Sequence, residues 1–103
     1  MINTQKLVDK LKPLDPEKII LFGSFAKGKT TPESDIDLLI IKKTKKKLSE
    51  RLDEAIHLLW GNIPHVEPHI LTPEEFVMAI AQNRFFITQE VMKFGKIIYD
   101  KTK

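Results

Sequence analysis

Two stretches decide the fold: Leu21-Phe22-Gly23-Ser24-Phe25-Ala26-Lys27-Gly28 and, six residues later, Asp35-Ile36-Asp37-Leu38-Leu39-Ile40. Lys18 to Phe22 is a short apolar run entered from Pro16 and closed by Gly23, which reads as a buried strand, and Ser24 to Ala26 opens a short helix. Ile36 to Ile41 is densely aliphatic and reads as a second strand. Side chains at i and i+2 of a strand share a face, so Asp35 and Asp37 set two carboxylates side by side while Ile36 and Leu38 enter the core. Such neighbours repel unless a positive ion lies between them. Magnesium, a hard ion shared between protein carboxylates and nucleotide phosphates, suits that place. Gly23-Ser24 stands where strand turns into helix, and there free backbone N–H groups and the helix dipole favour an anion. Gly23 admits a phosphate close to the backbone, and Ser24 adds a hydroxyl donor.

A metal pair beside a phosphate cradle is what moving a nucleotidyl group requires. Gly-Ser, ten residues, Asp-x-Asp resembles the signature of the nucleotidyltransferase superfamily that includes DNA polymerase β. With Ala26, Gly28 and Ser34 in the places of a Gly-Ser-x-Ala-Arg-Gly…Ser-Asp-x-Asp-Leu pattern, the chain resembles the minimal nucleotidyltransferase (MNT) family in particular. The resemblance implies an α/β nucleotidyltransferase (polymerase β-like) fold, a short mixed β-sheet covered by helices, in one domain over residues 1–103.

It also implies a chemistry. AMP from ATP would pass to a protein hydroxyl, with Asp35 and Asp37 holding two Mg2+ ions and Gly23, Ser24, Lys27 and Ser34 binding the nucleotide. Lys27 stands where the family often has Arg, keeping a point charge without the bidentate fork. The family's third carboxylate matches Glu67, because Val66-Glu67-Pro68-His69-Ile70-Leu71-Thr72-Pro73-Glu74-Glu75-Phe76 resembles a Val-Asp-hydrophobic run leading into a Thr-Pro-Glu-Glu-Phe helix start. Pro68 cannot donate to a ladder, so this strand is an edge or is bulged. In a regular strand His65 and His69 would flank Glu67 on its own face, where they line the rim, bind metal or pass a proton. Stand-alone MNT members often act as antitoxins that modify a helical HEPN-domain toxin. The resemblance therefore implies a HEPN-domain toxin as partner, in a homo- or hetero-oligomer. Two alternatives stay open: a non-catalytic antitoxin or binding subunit retaining the fold, and a transferase acting on RNA or a small molecule.

The remaining elements follow from periodicity. Thr4 to Leu14 carries Leu7, Val8, Leu11 and Leu14 on one helical stripe, ended by Pro13 and Pro16. Ser49 or a neighbour caps a helix whose apolar face is Leu52, Ala55, Ile56 and Leu59, with Trp60 as a core or staple residue before Gly61. His65 to Leu71 reads as a third strand. Thr72 and Glu75 then form a capping box around Pro73, opening a helix that presents Phe76, Val77, Ile80 and Ala81. Phe85 and Phe86 cannot both face one core, so one is an exposed docking residue. Thr88 to Lys93 is a last helical segment and Ile97 to Tyr99 a last strand. This order suggests a small sheet covered on one side by helices.

Composition bounds the rest. A chain of 103 residues buries roughly 60 to 70% of its unfolded surface, enough for one core but not for a separate acceptor-binding domain. The acceptor is expected to come with its own protein. The formal charge of +3 arises from 17 Lys plus Arg against 14 Asp plus Glu, and Lys42, Lys43, Lys45, Lys46 and Lys47 fall within six residues. Without that run the chain is slightly acidic. No aromatic residue interleaves with the lysines, so nucleic acid is not an expected partner. Apolar runs fall far short of the ~20 residues of a membrane helix. With no cysteine and no apolar leader in Met1 to Lys10, the expected location is cytoplasmic.

Overall fold

The computed structural model describes residues 3–28, 30, 35–60, 65–84 and 86–103, with Phe86 described by its backbone. Asn3 opens helix α1 (Thr4–Leu11) by accepting the N–H of Lys6 at 3.1 Å, and Leu7, Val8 and Leu11 form its buried stripe. A tight turn over Lys12–Leu14 and a left-handed Asp15 redirect the chain into strand β1 (Lys18–Phe22). Gly23 ends that strand and the four-residue helix α2 (Ser24–Lys27) follows. Strand β2 (Ile36–Ile41), helix α3 (Leu48–Leu59) and strand β3 (Val66–Leu71) come next. Helix α4 (Pro73–Ala81) starts at the expected capping box, where the Thr72 hydroxyl accepts from Glu75 N–H at 3.1 Å and the Glu75 carboxylate from Thr72 N–H at 2.8 Å. A π-helical turn over Phe86–Val91 runs into α5 (Met92–Phe94), and β4 (Lys96–Asp100) closes the chain.

The four strands lie in the order β3-β2-β1-β4, with β1 antiparallel to both neighbours and β2 parallel to β3. The sheet is mixed, as expected, but helices cover both faces rather than one. Leu7, Val8 and Leu11 of α1 with Ala55 and Leu59 of α3 pack on Ile19, Leu21, Leu38 and Ile40. Ala79, Ile87 and Val91 pack on Ile20, Phe22, Leu39 and Ile41. The cause is visible in β1 and β2: Ile19 to Phe22 and Leu38 to Ile41 are unbroken apolar runs whose consecutive residues point to opposite faces, so a sheet covered once would leave half of them in water.

Two helices bury a different stripe from the one periodicity suggested. In α3 the inward residues are Arg51, Ala55 and Leu59, while Leu52 and Ile56 stand 41% and 42% exposed. A spacing of three and four fits both stripes, and the small, fully buried Ala55 lets this one approach the sheet closely. The helix begins after Lys47, whose N–H is accepted by Glu50 at 3.4 Å, rather than at Ser49. Trp60 is 77% exposed and is not a core residue, because its extended ψ of 131° turns the chain out of the helix. In α4, Ala79 is buried and Phe76 half-buried, whereas Val77 and Ile80 face outward. Expectations resting on Ser34, Gly61, Phe85 and the Phe86 side chain lie outside what the structure describes.

Candidate active site

The parallel pairing of β2 and β3 sets Asp37 directly beside Glu67. On the other side of β2, antiparallel pairing puts Phe22 beside Asp37, so Gly23 arrives next to the Asp37 carboxylate. Gly23 has a φ of +73°, and a Cβ built there would lie 3.1 Å from Asp37 Cγ and overlap its Oδ2. Two independent reasons thus require glycine: left-handed backbone and the space the carboxylate needs. Ser24, half-buried, is the first residue of α2.

β3 is an edge strand, which accommodates Pro68. Ile36 N–H donates to the His65 carbonyl at 2.6 Å and Lys42 N–H to the Leu71 carbonyl at 3.0 Å. In a regular parallel ladder the odd-numbered residues between them then bond to β2, and the backbone nitrogen of the buried Pro68 points to the open edge, where no donor is needed. The same strand carries Glu67 and His69 on one face. One ligand atom each from Asp37, Glu67 and His69 lies within 4.8 Å of the others. The His69 ring is tilted against Phe22, with centroids 5.7 Å apart.

Asp35 and His65 pair with each other beside Asp37. Asp35 precedes β2 and is exposed, and its Oδ1 lies 3.9 Å from His65 Nδ1. His65 has a φ of +59° and precedes β3, so it does not alternate with Glu67 and His69 as a regular strand would require. Lys27 is held from below: its ammonium lies 2.7 Å from Glu90 Oε2 and 5.0 Å from the centre of the Phe94 ring. Ser34 lies outside the described residues.

The clustered acids act on one another. Burial first, then a hydrogen bond shared with Glu67 and the negative charges of Glu67, Asp35 and Glu90, push Asp37 up to about 6 from an ordinary 3.8. A bound cation would offset that repulsion.

Sequence reasoning missed Arg51 and Glu90. Arg51 is 7% exposed, and its guanidinium donates to the Lys46 carbonyl at 2.8 Å, the Ile70 carbonyl at 3.4 Å and Glu75 Oε1 at 2.6 Å. It ties α3, the outer edge of β3 and the α4 cap together. An arginine at helical spacing with Ala55 and Leu59 was the available signal.

Comparison with known proteins bears on this site. The family model described as "Polymerase beta, Nucleotidyltransferase" matches residues 5–103. A stretch of 25 residues is 68% identical to MJ0604, a candidate protein adenylyltransferase of Methanocaldococcus jannaschii, and spans 24% of this chain and 25% of that one. A toxin–antitoxin crystal structure with AMP-PNP superposes over 96% of this chain and 74% of its own, with TM-score 0.60 and 21% identity. A candidate nucleotidyltransferase from Sulfolobus solfataricus does so over 97% and 86%, with TM-score 0.60 and 19% identity. A mutant of the toxin–antitoxin MntA-HpeT does so over 96% and 74%, with TM-score 0.57 and 18% identity. At these identities the structures bear on fold alone, and the family model, running over nearly the whole chain and both halves of the signature, bears on kinship. The chain belongs to the polymerase beta nucleotidyltransferase family.

Proposed function

We propose that this nucleotidyltransferase moves AMP from ATP to a hydroxyl of a partner protein, as the antitoxin of a pair whose toxin is a HEPN-domain protein. The observation that carries the reading is Asp37 beside Glu67 on neighbouring parallel strands, with Gly23 leaving room for the Asp37 carboxylate. The donor set fits a divalent cation: carboxylates that repel one another, in a cradle that a Cβ at Gly23 would fill. Asp35, Asp37 and Glu67 would hold two magnesium ions. Bound magnesium supplies positive charge against the triphosphate and against the acceptor oxygen as it loses its proton.

The remaining work falls to this chain's own groups. Gly23 and Ser24 hold the β and γ phosphates at the start of α2 and leave the α-phosphorus over the carboxylates, Lys27 adds positive charge for the triphosphate, and the sequence motif assigns Ser34 to nucleotide binding. The Glu67 carboxylate takes the acceptor's hydroxyl proton. The freed oxygen bonds to the α-phosphorus while the bond to the β-phosphate's bridging oxygen breaks, and pyrophosphate leaves. The toxin–antitoxin structures of the same fold support a toxin partner, and the outward Leu48, Leu52 and Ile56, spaced by four along α3, offer it an apolar face. No helix among the described residues is long and apolar enough to cross a membrane.

The test is pyrophosphate release by the purified chain with the protein encoded beside its gene, magnesium and each of the four nucleoside triphosphates. Release is expected with ATP, and only when both proteins are present. A second reading, a contact antitoxin that keeps the fold without the chemistry, draws on Lys27 being engaged by Glu90. It predicts neutralisation that survives Asp37→Ala.

A further inference from the structure

A metal position built only of carboxylates accepts magnesium, whereas an imidazole nitrogen shifts preference toward first-row transition ions, which magnesium's liking for oxygen does not match. Here the side chains that converge on one another are Asp37, Glu67 and His69, with one donor atom each within 4.8 Å of the others. Metals of this class hold nitrogen and oxygen ligands at about 2.0–2.2 Å, so a small rotation of the exposed Glu67 and His69 side chains closes the set. The backbone is stiff where it matters. Glu67 and His69 flank Pro68, whose ring limits φ, and β3 pairs with β2 along its length from Val66 to Leu71. Phe22, from β1, lies against the imidazole and orients its plane.

We propose that His69 is a ligand of the ion held by Asp37 and Glu67, and that its nitrogen makes this position prefer a transition ion of the manganese, cobalt and zinc class to magnesium. The proposal rests on the nucleotidyltransferase reading of the same carboxylates and adds a ligand to it. His65 has no such role: it sits in a left-handed turn outside the strand, against Asp35.

The test uses the metals alone on the intact chain. In a His57→Gln/His65→Gln background, which leaves His69 as the single imidazole, Co2+ and Mg2+ are titrated separately by calorimetry, with and without His69→Gln. Co2+ should bind at least about tenfold more tightly than Mg2+, and His69→Gln should remove most of that advantage while leaving Mg2+ affinity nearly unchanged. Pulsed paramagnetic resonance of bound Mn2+ should show nitrogen coupling that disappears in His69→Gln. Equal Co2+-to-Mg2+ ratios with and without His69, or Mn2+ bound without nitrogen coupling, would overturn the proposal and leave the carboxylate reading intact. Failure of every ion to bind, with ATP present or absent, would overturn both.

Discussion

The Asp37 carboxylate fills the space into which a side chain at Gly23 would project. The turn proposed to hold phosphate and the carboxylate proposed to hold metal are therefore one packed unit, and a change in either moves the other. Gly23→Ala should place a methyl against the carboxylate and hold alanine at a φ of 73° and ψ of −151°, backbone nearly reserved for glycine, at a cost of roughly 1–3 kcal/mol. The fold should survive this while nucleotidyl transfer falls by about 100-fold or more, because a displacement near 1 Å at a catalytic group has that effect. Circular dichroism and transfer rates on the same sample separate the two.

Asp37 binds its proton more tightly in the folded chain than in the unfolded one, since its value rises from 3.8 to about 6. The stability this contributes is complete below about 3.8 and is lost as pH rises through about 6. In the absence of divalent ions Asp37→Asn should thus be the more stable protein at pH 8, by something on the order of 1 kcal/mol given the group's partial exposure, and the gap should close toward pH 4. Magnesium should raise the melting temperature of the wild type at pH 8 and leave the variant nearly unmoved.

Arg51 makes three hydrogen bonds that join α3, β3 and α4. Arg51→Ala should cost roughly 2 kcal/mol in a denaturant titration, since it removes three hydrogen bonds and leaves the buried Ile70 carbonyl without the guanidinium, while Glu75 keeps the Thr72 N–H and its access to water. The Arg51 guanidinium holds Glu75 below the usual carboxylate range, so this contribution is present above that range and fades as pH falls through the lowered value. The difference between wild type and variant should shrink in acid.

Lys27 and Glu90 connect α2 to the π-helical turn across 63 residues of sequence. Glu90→Gln should lower stability by about 1 kcal/mol or less and should raise KM for the nucleotide more than it lowers kcat, because it loosens the lysine beside the proposed phosphate turn and removes only the smallest of the charges that act on Asp37.

The fold was legible where local chemistry is strong. The Gly23-Ser24 turn, the aliphatic β2 and the Thr72–Glu75 capping box stand where their residue types demand. What failed was the choice between equivalent helical stripes: Leu52 and Ile56 satisfy the same spacing as Arg51, Ala55 and Leu59, and only packing against the sheet selects among them. The second covered face was present in the unbroken apolar runs of β1 and β2, but period alone does not say which helix lies on it. Within the site, Asp37 and Glu67 meet through a parallel register no local pattern encodes, and His65 leaves the strand through a positive φ that a histidine rarely announces. Glu90 reaches Lys27 only because a π-helical turn, for which there is no reliable sequence signal, presents it.

The central claim is that Asp37 and its neighbours transfer a nucleotidyl group to a partner protein. Intact-mass spectrometry of that partner, after incubation with ATP, magnesium and either wild-type chain or Asp37→Asn, tests it most directly. The account predicts an adenylyl increment on the partner with wild type and an unmodified mass with Asp37→Asn. An increment of equal size with the variant, or none with the wild type while the two proteins form a stable complex, would contradict it.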